Sequence, residues 1–115
     1  MKTPVIVEFR DGKFKILRKI VKKLEKDEVK EALARNGITP VDESVVMLKI
    51  LLASAFFRLE LSYFVEELKK RRKLRKLLNI LEVPDIKELY DFMAKFGEEF
   101  RKAVEQIINS LFQNW

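Results

Sequence analysis

The chain has 115 residues, of which 48% are hydrophobic and 37% are charged, and its formal net charge is +6 at pH 7. This balance excludes an intrinsically disordered chain and predicts one soluble globular domain. The sequence has no cysteine and no histidine, which excludes disulfides, thiolate metal sites and catalysis by an imidazole base.

Helix-forming residues dominate the composition. Lys, Glu, Leu and Ile are abundant, and there are only three Gly and three Pro, which predicts an all-α bundle of five or six helices. The longest apolar run, Val45 to Phe57, contains Lys49 and is shorter than the roughly 20 residues of a bilayer span. With no signal peptide visible at the start, we expect a cytoplasmic protein without membrane contact. The Lys and Glu content also suits a thermophilic source.

Charge is distributed unevenly along the chain. Residues 1–81 carry 20 Lys and Arg against 11 Asp and Glu, a net of +9, whereas residues 82–115 carry 4 against 7, a net of −3. A basic body allows a polyanionic partner such as nucleic acid. The alternative is a lysine-rich surface that is simply solvated.

The N-terminal third divides into an arm and a long amphipathic helix. Residues 1–12 form an arm or one short strand, because β-branched Val5–Phe9 is followed by a turn signal. Residues 13–115 form a single helical domain. Its first helix, Lys13–Asn36, has apolar residues at three- and four-residue spacing, with a break near Lys26-Asp27 where Asp27 can cap, and Gly37 stops it.

The next two helices are predicted from serine and aspartate caps. Asp42 or Ser44 opens the helix Val45–Arg58, which is apolar on nearly every face and is therefore expected at the centre of the bundle. Ser62 opens the helix Tyr63–Lys70.

The C-terminal half continues with a basic run and two more helices. A tight turn is expected within Lys69–Lys76. Asp85 and Glu88 form a capping box for the helix Ile86–Phe96, which Gly97 ends, and Glu98–Phe112 is the last helix.

Several short motifs follow one another in residues 44–112. They are Leu48 to Phe57, Ser62, Glu67-Leu68, Leu74-Arg75, Leu77-Leu78, Val83-Pro84-Asp85, Leu89 and Phe92. Their order resembles the N-terminal helical domain of insertion-sequence (DDE-type) transposases, the module that precedes the catalytic domain. The resemblance implies DNA binding without catalysis, since the family's catalytic acids lie outside this module. Glu88 and Asp91 stand where the family has threonine and arginine, and carboxylates there repel phosphate.

The basic run is the candidate site for double-stranded DNA. Several cations on one surface bind phosphates through counterion release, and arginines can also contact guanine edges. The alternative is a solvated helix end, favoured by the helix dipole. The predicted DNA-binding residues are Lys69, Lys70, Arg71, Arg72, Lys73, Arg75, Lys76 and Lys87.

Two further surfaces are weaker DNA candidates. Tyr63–Phe96 can form a helix-turn-helix-like segment with Ile86–Phe96 in the groove, but that helix is short of base-contacting residues. The helix Lys13–Lys26 carries a second basic face, for which a solvated surface is the favoured interpretation. Its cations are Lys15, Arg18, Lys19, Lys22, Lys23 and Lys26.

The alternative function is a helical protein–protein interaction or dimerisation module without a nucleic-acid role. Phe112 and Trp115 form a terminal aromatic pair that predicts an interface, with a homodimer as one outcome. Catalysis is not expected, and neither are a cofactor, a metal or a small-molecule substrate, because adjacent acids such as Glu66-Glu67 point apart on a helix. DNA affinity that falls with salt distinguishes the two functions.

Overall fold

The computed structural model describes residues 12–111, and the side-chain surroundings of residues 14–109. This range contains six helices and no strand, which confirms the all-α prediction. The strand or arm predicted before residue 12, and the interface residues Phe112 and Trp115, lie outside the described residues. The helices are α1 (Gly12–Leu24), α2 (Asp27–Arg35), α3 (Val41–Phe57), α4 (Leu61–Lys70), α5 (Arg72–Leu78) and α6 (Ile86–Leu111).

Helix α3 is central, as its apolar surface predicts. Its C-terminal half, with Ile50 and Phe57, packs in a first core cluster with α1, α4 and α5. Its N-terminal half, with Val45 and Leu48, packs in a second core cluster with α2 and α6. A helix that joins two cores must be apolar on opposite sides. The buried members of the first cluster are Phe14, Leu17, Val21, Ile50, Ala53, Phe57, Phe64, Val65, Leu68, Leu74, Leu77, Leu78, Ile80 and Leu89.

The predicted serine and aspartate caps are wrong. Helix α3 begins at Val41, and Ser44 Oγ inside it donates to the carbonyl of Pro40 at 2.8 Å. Helix α4 begins at Leu61, so Ser62 is its second residue. Neither helix start has a side-chain cap hydrogen bond, whereas Val41 and Leu61 both pack against the core clusters. Both helices therefore start at a partly buried apolar residue and not at a capping side chain.

The helix ends follow the sequence more closely. The predicted break separates α1 from α2, although Asp27 is the first residue of α2 and Lys26 is its N-cap. Gly37 follows α2 with the left-handed φ of 77° that favours glycine. A tight turn lies in the basic run as predicted. In the predicted capping box, the backbone N–H of Asp85 donates to Glu88 Oε1 at 2.8 Å.

The break predicted at Gly97 corresponds to a kink, since α6 runs to Leu111 but its backbone is non-helical at Phe96 (φ −116°, ψ 19°). The ring of Phe92 lies 5.4 Å from that of Phe96 and 5.1 Å from that of Phe100. These aromatic contacts span the kink and hold both halves of α6 on the second core cluster.

Candidate nucleic-acid interface

The α4–α5 corner, defined here as Lys69–Lys76, turns within one residue. Helix α4 ends at Lys70, Arg71 is extended (φ −111°, ψ 106°), and α5 begins at Arg72. Leu74 inside the corner is fully buried, as is Leu78 just after it. Leucines spaced among the cations therefore anchor α5 to the first core cluster, and this anchoring turns its other side to solvent.

Arg71 holds the corner and is not an open phosphate ligand. Its Nε donates to Glu67 Oε1 at 2.6 Å, and Glu67 is itself buried. A buried carboxylate needs a cation or hydrogen-bond donors to offset its lost hydration. Arg71 supplies that charge one helical turn after Glu67, at the end of α4.

Arg75 also has a structural role. Its Nη1 donates to the carbonyl oxygens of Leu68 and Lys69, both at 2.7 Å. The last carbonyls of a helix have no partner within the helix, so this guanidinium completes the end of α4. One side chain of α5 thereby fixes the angle between the two helices.

Lys69 and Lys87 are both paired with carboxylates. Lys69 Nζ lies 3.1 Å from Asp85 Oδ1, which ties the corner to the start of α6, and 3.9 Å from Glu66. Lys87 Nζ lies 3.1 Å from Asp91 on an exposed face. Such exposed pairs contribute little stability, but they neutralise the cations locally.

The other four predicted residues remain available, and we call them the free cations. They are exposed, and within the described part of the chain their side chains form no hydrogen bond or ion pair. The structure thus divides the eight sequence-predicted residues into four whose charged groups have partners within the chain and four whose charged groups have none. The free cations are Lys70, Arg72, Lys73 and Lys76.

Lys49 is a charged core residue that interrupts an apolar run in the sequence. It is 5% exposed, and its Nζ donates to Glu25 Oε2 at 2.7 Å and to the carbonyl of Asn79 at 3.3 Å. The side chain of Asn79 also donates to Glu25 Oε2 at 2.8 Å. These three residues join the C-terminal ends of α1 and α5 across α3. One lysine in an otherwise apolar helix was the available sequence signal.

The surroundings of Glu25 lower the pKa of its carboxyl group. Partial burial raises the pKa of this carboxyl, but the hydrogen bonds from Lys49 and Asn79 and the charge of Lys49 outweigh burial, so the net pKa is lowered. Glu25 is therefore held in its charged form, as a buried ammonium beside it requires.

The first turns of α6 are poorly suited to phosphate. Glu88 and Asp91 lie exposed there together with Lys87, which Asp91 neutralises. Along the chain, α5 and a loop separate α4 from α6, so these two helices of the predicted helix-turn-helix-like segment are not joined by one short turn. Base reading by Ile86–Phe96 stays a prediction, and the free cations are a better phosphate surface.

The described residues offer little support for a metal site or for a membrane-spanning helix. They contain no group of three or more Asp, Glu, His or Cys placed to hold a metal ion. None of their helices is long and apolar enough to cross a membrane.

Comparison of the chain with protein-family models, with curated proteins and with solved structures found no match. The transposase resemblance therefore stays a prediction from the motifs.

Proposed function

We propose that this protein is a non-catalytic DNA-binding domain that holds the duplex backbone at the α4–α5 corner. The observation that carries the proposal is the set of free cations (Lys70, Arg72, Lys73 and Lys76) on a corner that other side chains make rigid. The resemblance to transposase N-terminal domains points to the same partner.

The rigidity of the corner favours binding. Arg71 and Arg75 fix the two helices through buried or carbonyl partners, so little backbone freedom is lost when phosphates arrive. Each phosphate neutralised by Lys or Arg releases counterions, and about 0.9 is added to the slope of log affinity against log salt. Four contacts would give a slope of about −3 to −4 and an affinity typical of non-specific binding, Kd about 10⁻⁴ to 10⁻⁶ M.

The test is a titration of the purified protein against labelled random-sequence duplex at several salt concentrations. The variant Arg72→Gln/Lys73→Gln/Lys76→Gln removes three exposed cations and no contact within the described structure. Its control, Lys30→Gln/Lys95→Gln/Lys102→Gln, removes the same charge from α2 and α6, together with the exposed Lys30–Asp42 ion pair and the contact of Lys95 with the Phe96 ring. We expect the corner variant to lower the salt slope by about 2–3 and the control to keep it.

Two results would overturn the proposal. The first is an unmodified chain that does not bind duplex at low salt, and the second is equal loss of binding in the two variants. Arg71→Glu is a poor probe, because it places a carboxylate against the buried Glu67 and would perturb the fold as well as any DNA contact.

A second candidate function is a protein interaction module, and one feature favours it. Leu81 is 95% exposed beside a groove of about 620 Å³ between α3 and the α5–α6 loop. A single exposed leucine is ordinary, but Leu81 adjoins other apolar residues of the groove, and contiguous apolar patches mark interaction surfaces. The groove is lined by Val46, Met47, Ile80, Val83 and Pro84, with carboxylates from Glu43, Glu82 and Glu88. Sedimentation of the chain and of Leu81→Asp tests it, since association through the groove would be lost in the variant.

A further inference from the structure

Two helices of this protein contain cations and no carboxylate at all. The sequence of α1 is GKFKILRKIVKKL and that of α5 is RKLRKLL. Together they hold ten Lys and Arg and no Asp or Glu. They are separated by about 50 residues in the chain, so the sequence alone gives no reason to consider them together.

The fold places these two helices side by side. Phe14, Leu17 and Val21 of α1 lie in the same core cluster as Leu74 and Leu77 of α5, and the helices contact each other. Their C-terminal ends meet where Asn79 Nδ2 donates to Glu25 Oε2 at 2.8 Å.

Neighbouring helices whose apolar sides rest on one core turn their opposite sides toward the same solvent region. On α1 that side carries exposed Lys15, Arg18, Lys19 and Lys22, and on α5 it carries Arg72, Lys73 and Lys76.

The positive charges on α1 and α5 repel each other. Packed helix axes lie about 8–10 Å apart, which is about one Debye length at physiological salt, so screening between the two basic faces is incomplete. Glu25 follows the C-terminal end of α1, where it accepts hydrogen bonds from Lys49 and Asn79 and also interacts with the charge of Lys22. A solvated surface usually intersperses both signs of charge; here the fold concentrates one sign instead.

We infer that α1 and α5 form one composite surface for the phosphate backbone of duplex DNA, to which both helices contribute contacts. This inference rests on the proposed function and extends the site beyond the α4–α5 corner. Helix α1 spans about 20 Å, and its cations add several phosphate contacts to those of the corner.

The side chains of the composite surface also indicate what kind of nucleic acid it binds. Among the described residues, the one large exposed apolar side chain on these helices is Ile16, and neither helix exposes an aromatic ring. Proteins that bind single strands stack bases on aromatic side chains, and none is available here. The outward groups are almost all Lys and Arg, which hold the backbone and carry little base specificity.

The test compares three variants of the full chain for binding to a labelled random-sequence duplex across a salt series. The α1 variant is Lys15→Gln/Arg18→Gln/Lys19→Gln. The α5 variant is Arg72→Gln/Lys73→Gln/Lys76→Gln, and the control is Lys30→Gln/Lys95→Gln/Lys102→Gln. Glutamine keeps helix propensity close to that of lysine and arginine, and circular dichroism checks that each variant is folded.

We expect the α1 and α5 variants each to lower the salt slope by about 2–3 and to weaken binding by about tenfold or more at moderate salt. The control should bind like the unmodified chain. An α1 variant that binds normally while the α5 variant is weakened would overturn the composite surface and leave the proposed function standing. Absence of binding by the unmodified chain would overturn both, and tighter binding to single strands of the same sequence would overturn the assignment to duplex.

Discussion

Helix α6 and the α1–α5 pair differ in whether their charged side chains form ion pairs within the helix. On α6, the guanidinium of Arg101 lies 2.6 Å (Nη2) from Glu98 Oε2 and 2.8 Å (Nη1) from Glu105 Oε2. Lys87 Nζ lies 3.1 Å from Asp91 Oδ2. On α1 and α5 there is no carboxylate to form such pairs. All three helices have an apolar side against the core and a charged side toward water, so the fold alone does not account for the difference.

The comparison shows that charge density by itself is a poor indicator of a binding surface. Helix α6 is densely charged, yet it pairs several of its charges at three- and four-residue spacing, as ordinary solvated helices do. The α1–α5 pair has no carboxylate of its own to balance its cations. Predictions that target the two regions in parallel separate structural charges from those available to a partner.

The largest expected effect is at the joint between α1 and α5. Glu25→Ala leaves the ammonium of Lys49, 5% exposed, with the Asn79 carbonyl as its remaining partner. Breaking a buried pair on one side typically costs 3–5 kcal/mol. Since Glu25 is 33% exposed, we expect a loss of about 2–3 kcal/mol in the free energy of unfolding, measured by urea denaturation. The parallel change on α6, Glu98→Ala, should leave the free energy of unfolding nearly unchanged; equal losses would contradict the structural role of Glu25.

The next effect separates two neighbouring cations of α5. Arg75→Ala removes the donor to the Leu68 and Lys69 carbonyls, and we expect it to lower the free energy of unfolding by about 1.5–2 kcal/mol. Lys76→Ala should change stability by less than about 0.5 kcal/mol. If Lys76 contacts phosphate, Lys76→Ala should weaken duplex binding more than Arg75→Ala does. Thermal or urea unfolding and one binding titration for each variant check both statements.

A smaller effect is expected from salt on the free protein. Screening relieves repulsion within the α1–α5 pair, so raising sodium chloride from about 0.02 to about 0.3 M should stabilise the protein by about 0.5 kcal/mol, a rise in Tm of roughly 2–4 °C. The variant Lys15→Gln/Arg18→Gln/Lys19→Gln should lose about half of this rise, while the control on α2 and α6 keeps most of it. A Tm that falls with salt would mean that ion pairs outweigh the repulsion.

The smallest expected effect is the contribution of Glu25 to acid stability. The folded pKa of Glu25 is lowered, so the unfolded chain binds its proton at a higher pH than the folded chain does. The resulting stability is fully present above about pH 4.3, the ordinary value for glutamate, and is lost as the pH falls through the lowered pKa.

The acid effect is measured against the variant Glu25→Gln. The difference in free energy of unfolding between the unmodified chain and this variant should narrow as the pH falls from about 6 to about 3. A difference that stays constant over this range would contradict the role of the Glu25 charge. Glu98→Gln is the exposed comparison, and we expect little change in stability from it.

Much of the fold follows from local signals in the sequence. The three- and four-residue spacing of apolar residues predicted the helices, and Gly37 and the Asp85–Glu88 capping box lie where their backbone chemistry requires. The sequence failed where packing overrides local preference. Ser44 and Ser62 are good cap residues, yet both helices start earlier, at Val41 and Leu61, which are partly buried against the core clusters. The break predicted at Gly97, by contrast, lies one residue from the non-helical backbone of Phe96.

For the candidate site, residue type and spacing are enough to identify a basic protein, a concentration of cations between Lys69 and Lys76, and a second basic helix before them. These are local properties of the chain. The packing of the folded chain determined which cations are committed to Glu67, Asp85 and the end of α4. It also decided that α1 lies against α5. Such pairings depend on which distant side chains share a core, and that is set by the packing of the whole chain around α3.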